Sequence, residues 1–293
     1  MNRFERFTDR KPPDLKEGNN SNSFFAGDTM SLSAQLLMLP QWMAVSLLVV
    51  IAVSFSIVGF LTVHHFIPVK IRQIHNDVAG FVFATLGVTY GVLLAFVVIV
   101  VWEQFNDAKA NVENESSSVI LLYKNVATYP DKIASDAMRN GLLKYASQAV
   151  EEQDPARSEQ LPGDSLSAMN QLLGLIDGII PDSRHEEILY AQILINLNEL
   201  SKYRNLRYQA MHEELPSAIW IGVVVGAIIT TSFTFLFGTE NVWAHIIMMS
   251  LLAALIAVVV YVVIEMDHPA MGEVNIGFPQ GYSKILEIAK AQQ

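Results

Sequence analysis

Residues 80–128 read GFVFATLGVTYGVLLAFVVIVVWEQFNDAKANVENESSSVILLYKNVAT, and from Val92 to Tyr129 there is neither glycine nor proline. The first half, as far as Trp102, carries no Asp, Glu, Lys or Arg, and the second half is polar with apolar residues at helical spacing. Nothing here stops a helix where hydrocarbon ends. One continuous rod from about Gly80 to Thr128 is therefore expected, crossing a bilayer and projecting roughly 40 Å beyond Trp102.

Three more blocks free of Asp, Glu, Lys and Arg flank this rod, running approximately from Trp42 to Ile67, Ser217 to Phe237 and Ala244 to Ile264. Each approaches the roughly 20 residues that a helix needs to cross the hydrocarbon layer. Lipid offers backbone groups no partners, so helices are the default. Trp42, Trp102, Trp220 and Trp243 each fall at or near a block end, where an indole keeps its ring apolar and its N–H wet. With 52% hydrophobic and 16% charged residues, the composition also points to the lipid bilayer as a second solvent.

The reading predicts an all-α polytopic membrane protein divided into five parts. Residues 1–40 form a disordered tail, since stretches such as Lys11-Pro12-Pro13 and Gly18 to Ser23 bury too little to offset chain entropy. Residues 41–102 hold spans one and two, 103–216 a helical domain, 217–265 spans three and four, and 266–293 a tail ending in a short helix. Inside the domain, apolar residues recur at helical spacing over Ile133–Val150, Leu166–Ile176 and Ile188–Met211. The breaks are Tyr129-Pro130, the stretch 154–164 and Ile180-Pro181-Asp182, with Asp131 and Ser183 placed to cap the helices that follow.

Four spans put both termini and the domain on one side. Near the span ends, Lys109, Lys202, Arg204 and Arg207 outweigh Lys70 and Arg72, which predicts cytoplasmic termini in a cell inner membrane. Net charge of −10 with dispersed basic residues excludes nucleic acid as a partner. No cysteine is present, the seven histidines show no metal-ligand spacing, and neither a phosphate-binding glycine loop nor a GxSxG turn occurs. No catalytic residue, metal or cofactor is expected, and an enzyme is a poor reading.

Within the second span Gly80, Ala84, Gly87, Gly91 and Ala95 lie on one face, which permits close helix contact. Phe105, Val112, Val119 and Val126 continue almost the same face every seven residues, so a single packing seam is expected along the whole rod. Gly222 and Gly226 give the third span a similar stripe. Roughly 130° around the rod lie Thr85, Thr89, Phe96, Glu103 and Asp107, the candidate pore lining. In a homo-oligomer, rings of Glu103 and Asp107 would concentrate inorganic cations. The plainer reading is that a helix with an apolar seam must be polar opposite it, and that threonines bond their own helix's carbonyls.

Glu115 falls on the seam between Val112 and Val119, where an unpaired carboxylate would be costly. Arg204, and one turn nearer the membrane Arg207, lie about as far before the third span as Glu115 lies beyond the second. Pairing of Glu115 with one of them is expected, tying the domain's ends together.

Trp102-Glu103-Gln104-Phe105 with Ala108, Glu115, Leu122-Tyr123 and Pro130, then Tyr203-Arg204, Arg207, Leu215-Pro216 and Trp220, and finally Asp267, Pro269 and Gly272 carry a resemblance. On them the chain resembles the bacterial bestrophin-like integral membrane proteins, a family grouped as a domain of unknown function, over most of its length from the first span. Similarity to bestrophins implies four spans, cytosolic termini and an oligomeric channel whose second span lines the pore. One departure stands out: bestrophins are known chiefly as anion channels, whereas Glu103 and Asp107 would repel anions. The rival reading is a non-conducting scaffold or sensor that binds a partner through its cytoplasmic helices, and a transporter is a third.

Overall fold

The computed structural model describes residues 32–151, 164–274, 276 and 280–291, and every regular element among them is a helix. In chain order these are α1 (Leu32–Leu37), α2 (Gln41–Phe66), α3 (Val69–Ile74), α4 (Asn76–Ala127), α5 (Lys132–Glu151), α6 (Asp164–Asp177), α7 (Arg184–His212), α8 (Ser217–Thr234), α9 (Val242–Asp267) and α10 (Gln280–Ala291). Residues 1–31 of the N-terminal tail, residues 152–163 of the domain and parts of the C-terminal tail lie outside the described residues.

Among the described residues, four helices are long and apolar enough to cross a membrane: α2, the first half of α4, α8 and α9. The rod is continuous, 52 residues without a break, and α7 returns antiparallel alongside it toward α8. Termination follows local chemistry. The Asp131 carboxylate accepts from the backbone N–H groups of Ile133 (2.9 Å) and Ala134 (3.4 Å), and Ser183 Oγ accepts from Glu186 N at 3.2 Å. Each thus satisfies a first turn that has no carbonyls of its own to bond.

Three cores form among the described residues, the smallest of them Phe60, Phe235 and Met249. Beyond the membrane, Val119, Leu122 and Val126 of α4 pack with Tyr145 of α5, Leu172 of α6, Leu197 of α7 and Tyr282 of α10. Within the membrane, Tyr90, Leu94, Val97 and Val101 of α4 pack with Val223 of α8 and with Ile256 and Val263 of α9.

The short α3 was not expected from so brief an apolar pattern, and it places Arg72 at the end of the molecule opposite the domain. The Arg72 guanidinium donates to the carbonyls of Phe235 (3.0 Å) and Phe237 (3.3 Å), lies 2.8 Å from His64 Nδ1 and sits over the Phe60 ring. It satisfies carbonyls that α8 leaves open where it stops. Asn76 completes this end through a reciprocal pair with Gly238, Nδ2 donating to the carbonyl at 2.8 Å and Oδ1 accepting from the N–H at 3.0 Å.

Candidate functional site

The geometry of α4 organises the site, because one rigid helix carries a buried face and two open ones. Buried residues run along Tyr90, Leu94, Val97, Val101, Phe105, Ala108 and Val112. The glycine stripe is elsewhere: a Cβ built on Gly80, Gly87 or Gly91 would meet nothing within 4 Å, and Ala84 and Ala95 are exposed. The expectation of a single seam is therefore corrected. A seven-residue repeat drifts by about 20° per heptad on a straight helix, so Phe105 to Val126 diverge from a stripe that Gly80 to Ala95 define at spacings of three and four. Stripe and seam lie roughly 80° apart in the membrane.

Thr85, Thr89, Phe96, Glu103 and Asp107 are all exposed on the single chain. Thr85 Oγ1 donates to the Phe81 carbonyl at 3.2 Å and Thr89 Oγ1 to the Thr85 carbonyl at 2.9 Å, so both hydroxyls are satisfied within the helix. Glu103 and Asp107 make no salt bridge among the described residues. On α8, a Cβ at Gly226 would overlap the Tyr90 ring, while Gly222 faces Leu93 at 3.8 Å. The Tyr90 hydroxyl donates to the Val223 carbonyl at 3.0 Å, fixing the ring against that gap.

Farther along the rod, Glu115 is fully buried and holds four helices together. Arg207 Nε of α7 donates to its Oε2 at 2.5 Å. Tyr145 of α5 and Tyr282 of α10 donate to its Oε1 at 2.5 and 2.6 Å. Arg204, the other guanidinium considered for Glu115, instead donates to Ser165 Oγ at 3.2 Å and to Asn205 Oδ1 at 3.3 Å. A second joint forms where the spans enter the domain: Asp267 accepts from Leu215 N at 2.8 Å and from Trp220 Nε1 at 3.2 Å. Beside it Glu265 accepts from the Tyr261 hydroxyl and from Val274 N, and Gly272 takes φ of 78° with no room for a Cβ against the Glu265 carboxylate.

The family model for the Bestrophin-like domain matches residues 50–277. The chain belongs to the Bestrophin-like family. Its fold is also that of solved relatives. A bacterial bestrophin homologue from Klebsiella pneumoniae, crystallised as an isoleucine-to-threonine variant, superposes with TM-score 0.61 at 10% identity, covering 83% of this chain and 98% of that one. A leucine-to-threonine variant from the same organism gives TM-score 0.62 at 11% identity, with 85% and 99% covered. A third crystal structure, of a membrane protein with a proline-to-alanine change, gives TM-score 0.61 at 12% identity, with 85% and 99% covered. No curated protein matches the chain.

Residues that carried the Bestrophin-like resemblance converge on the two joints: Glu115 and Arg207 on the first, Leu215, Trp220, Asp267 and Gly272 on the second. Tyr145 and Tyr282 were missed. Each reads as an ordinary core aromatic, and nothing in its own neighbourhood signals a carboxylate 30 or 167 residues away.

Burial, and next the adjoining charge of Glu115 for Tyr145 and of Tyr145 for Tyr282, hold both phenols well above their usual value of 10.0. For Arg207, burial works against the cation, but Glu115 and the two phenols outweigh it and its pKa rises. A phenol whose folded pKa is raised contributes full stability below the unfolded value and loses it as pH climbs. Between pH 10 and the folded pKa values, the two phenols should together lower stability by about 2.7 kcal/mol per pH unit. Melting temperature should thus be flat in this respect from pH 8 to 9.5 and fall steeply above. A Tyr145→Phe, Tyr282→Phe chain, less stable at neutral pH, should show a much shallower alkaline fall in the same thermal scans.

Proposed function

We propose that this protein is a subunit of a homo-oligomeric ion channel of the cell inner membrane, its pore lined by the polar face of α4. What carries the reading is that α4, a single unbroken helix, turns two faces away from its own chain. Among the described residues the Thr85, Thr89, Phe96, Glu103 and Asp107 face has no partner helix, and the Gly80, Gly87 and Gly91 stripe, roughly 130° around the rod, is open to close approach. A ring of copies around an axis uses both kinds of face, a small-residue flank against the neighbouring rod and a polar face toward water.

The termini and the helical domain belong on the cytoplasmic side. Arg72, Arg204 and Arg207 are buried and engaged, so the exposed basic residues near the spans are Lys109 and Lys202 with the domain against Lys70 opposite. The bias keeps its sign.

Conduction tests this directly. Purified protein in planar bilayers should pass unitary currents that favour cations, and Glu103→Gln should reduce the cation-to-anion permeability ratio by about threefold or more, because each subunit loses a charge at the mouth. Silence at varied voltage, pH and calcium would reject the channel and leave the scaffold or sensor reading. Unitary currents with unchanged selectivity in Glu103→Gln would remove Glu103 from the path.

A further inference from the structure

At the far end of the helical domain, about 40 Å along α4 from Trp102, the end of α4, the start of α5, the end of α6 and the start of α7 surround a cavity of about 550 Å³. Tyr129 lines it and is only 2% exposed, and its hydroxyl is buried with no hydrogen-bond partner among the described residues. A buried phenol left in this state costs about 1–3 kcal/mol, and nothing in the packing around it requires the oxygen.

Three carboxylates share the lining, Asp131, Asp182 and Glu186, and among the described residues no lysine or arginine lines it. Burial first, then the charges of Glu186, Asp131 and Asp182, raise the Tyr129 pKa, so the hydroxyl feels the same cluster. Asp131 Oδ1 and both Glu186 oxygens serve the helix caps beside them, whereas the Asp182 carboxylate has no partner among the described residues. Ile133 and Ile180 also line the cavity and are 84% and 83% exposed. Each apolar side chain stands in water beside a negatively charged hollow.

We propose that this membrane-distal groove docks a basic segment of another protein, receiving a lysine or arginine side chain among Tyr129, Asp131, Asp182 and Glu186 while flanking apolar residues cover Ile133 and Ile180. Charge selects this occupant. An anionic lipid surface is repelled by the cluster and lies about 40 Å away. A second copy of a chain with net charge −10 brings the wrong sign. A bare metal ion would leave most of the cavity and both isoleucines unused. A guanidinium or ammonium can donate to the phenol oxygen and the free carboxylate together, and charge-assisted bonds of this kind are the strong ones. The site stands whether or not the protein conducts.

The test uses the full chain in lipid nanodiscs and a fluorescein-labelled hexapeptide alternating leucine and arginine. Binding should saturate, and the same peptide with citrulline in place of arginine should bind about tenfold or more weakly. Asp182→Asn with Glu186→Gln should cause a similar loss, since the Asp182 carboxylate takes no capping bond and an amide oxygen at 186 can still accept from the Asp182 N–H. Tyr129→Phe should weaken binding about threefold or more while melting no lower than the parent chain, because the hydroxyl removed has no partner to lose. Glu113→Gln, exposed on α4 and remote from the groove, should leave affinity unchanged. Equal affinity in the groove variants, or an equal loss in Glu113→Gln, would overturn the proposal. So would light scattering in which Ile133→Ser with Ile180→Ser breaks up an assembly of the chain without peptide, which assigns the groove to a second copy.

Discussion

Replacing Arg207 by methionine should destabilise the helical domain by about 3–5 kcal/mol, more than any other single change at the Glu115 junction. The guanidinium contributes more than a favourable pair. Glu115 is 0% exposed and among the described residues its only cationic neighbour is Arg207, so the substitution leaves a carboxylate buried with two phenols and no compensating charge. Such a group either reorganises the four helices around it or takes up a proton, and both routes spend stability. At roughly 4 °C per kcal/mol, between the values for smaller and larger domains, the melting temperature in detergent should fall by about 12–20 °C. Adding Glu115→Gln to the Arg207→Met chain removes the stranded charge and keeps a carbonyl oxygen for Tyr145 and Tyr282. The double variant should therefore recover about 2 kcal/mol, a clear departure from additivity between residues in contact. If Arg207→Met melts within a degree or two of the parent, the junction is not what holds the domain to the rod.

The membrane half of this architecture was readable because lipid imposes one strict rule. Spans without formal charge, each ended by tryptophan, leave few alternatives, and Asn76–Ala127 runs through the surface because no glycine or proline interrupts it after Gly91. Glu115 could be marked as needing a partner from its position alone, since a heptad of valines with a carboxylate inside it conflicts with burial. Which groups answer it could not be read. Four helices meet there, and the sequence orders their residues by chain position, not by proximity. The single seam failed for a different reason, the slow drift of a seven-residue repeat around a 3.6-residue helix, which over the three heptads from Phe105 to Val126 comes to about 60°.

Arg72 marks the same boundary between local and tertiary information. In sequence it is one of two basic residues in a short loop and counts as a topological vote; in the structure it is 5% exposed and bonds the carbonyls where α8 ends. Asp131 and Ser183 were legible as caps because capping is a matter of the next three residues. That Asp131 also faces Tyr129, Asp182 and Glu186 across a cavity depends on α6 and α7 arriving there. Local chemistry thus predicted the elements, and assembly gave several of the same side chains a second role.

Gly281→Val should detach α10 from the domain. At position 281 a Cβ would run into the Ser116 side chain of α4, next to Glu115, with the Ile120 side chain 3.0 Å away. Valine adds two methyls to that overlap, and overpacking of this kind costs about 1–3 kcal/mol before any contact is lost. Retreat of α10 then moves Tyr282 off Glu115 and exposes Tyr282 and Ile285, each now 1% exposed, so the remaining docking energy goes as well. A helix of 12 residues is too short to persist alone in water. Amides of residues 282–290 should accordingly lose hydrogen-exchange protection while α4 and α5 keep theirs. The alkaline fall in stability should drop to about half its slope, near 1.4 kcal/mol per pH unit, because only Tyr145 still titrates from a buried position. A Gly281→Ala, Ser116→Gly chain trades one side chain for the other and should hold α10 in place. Unprotected amides there too would mean that α10 docks for reasons other than the close approach of Gly281 to α4.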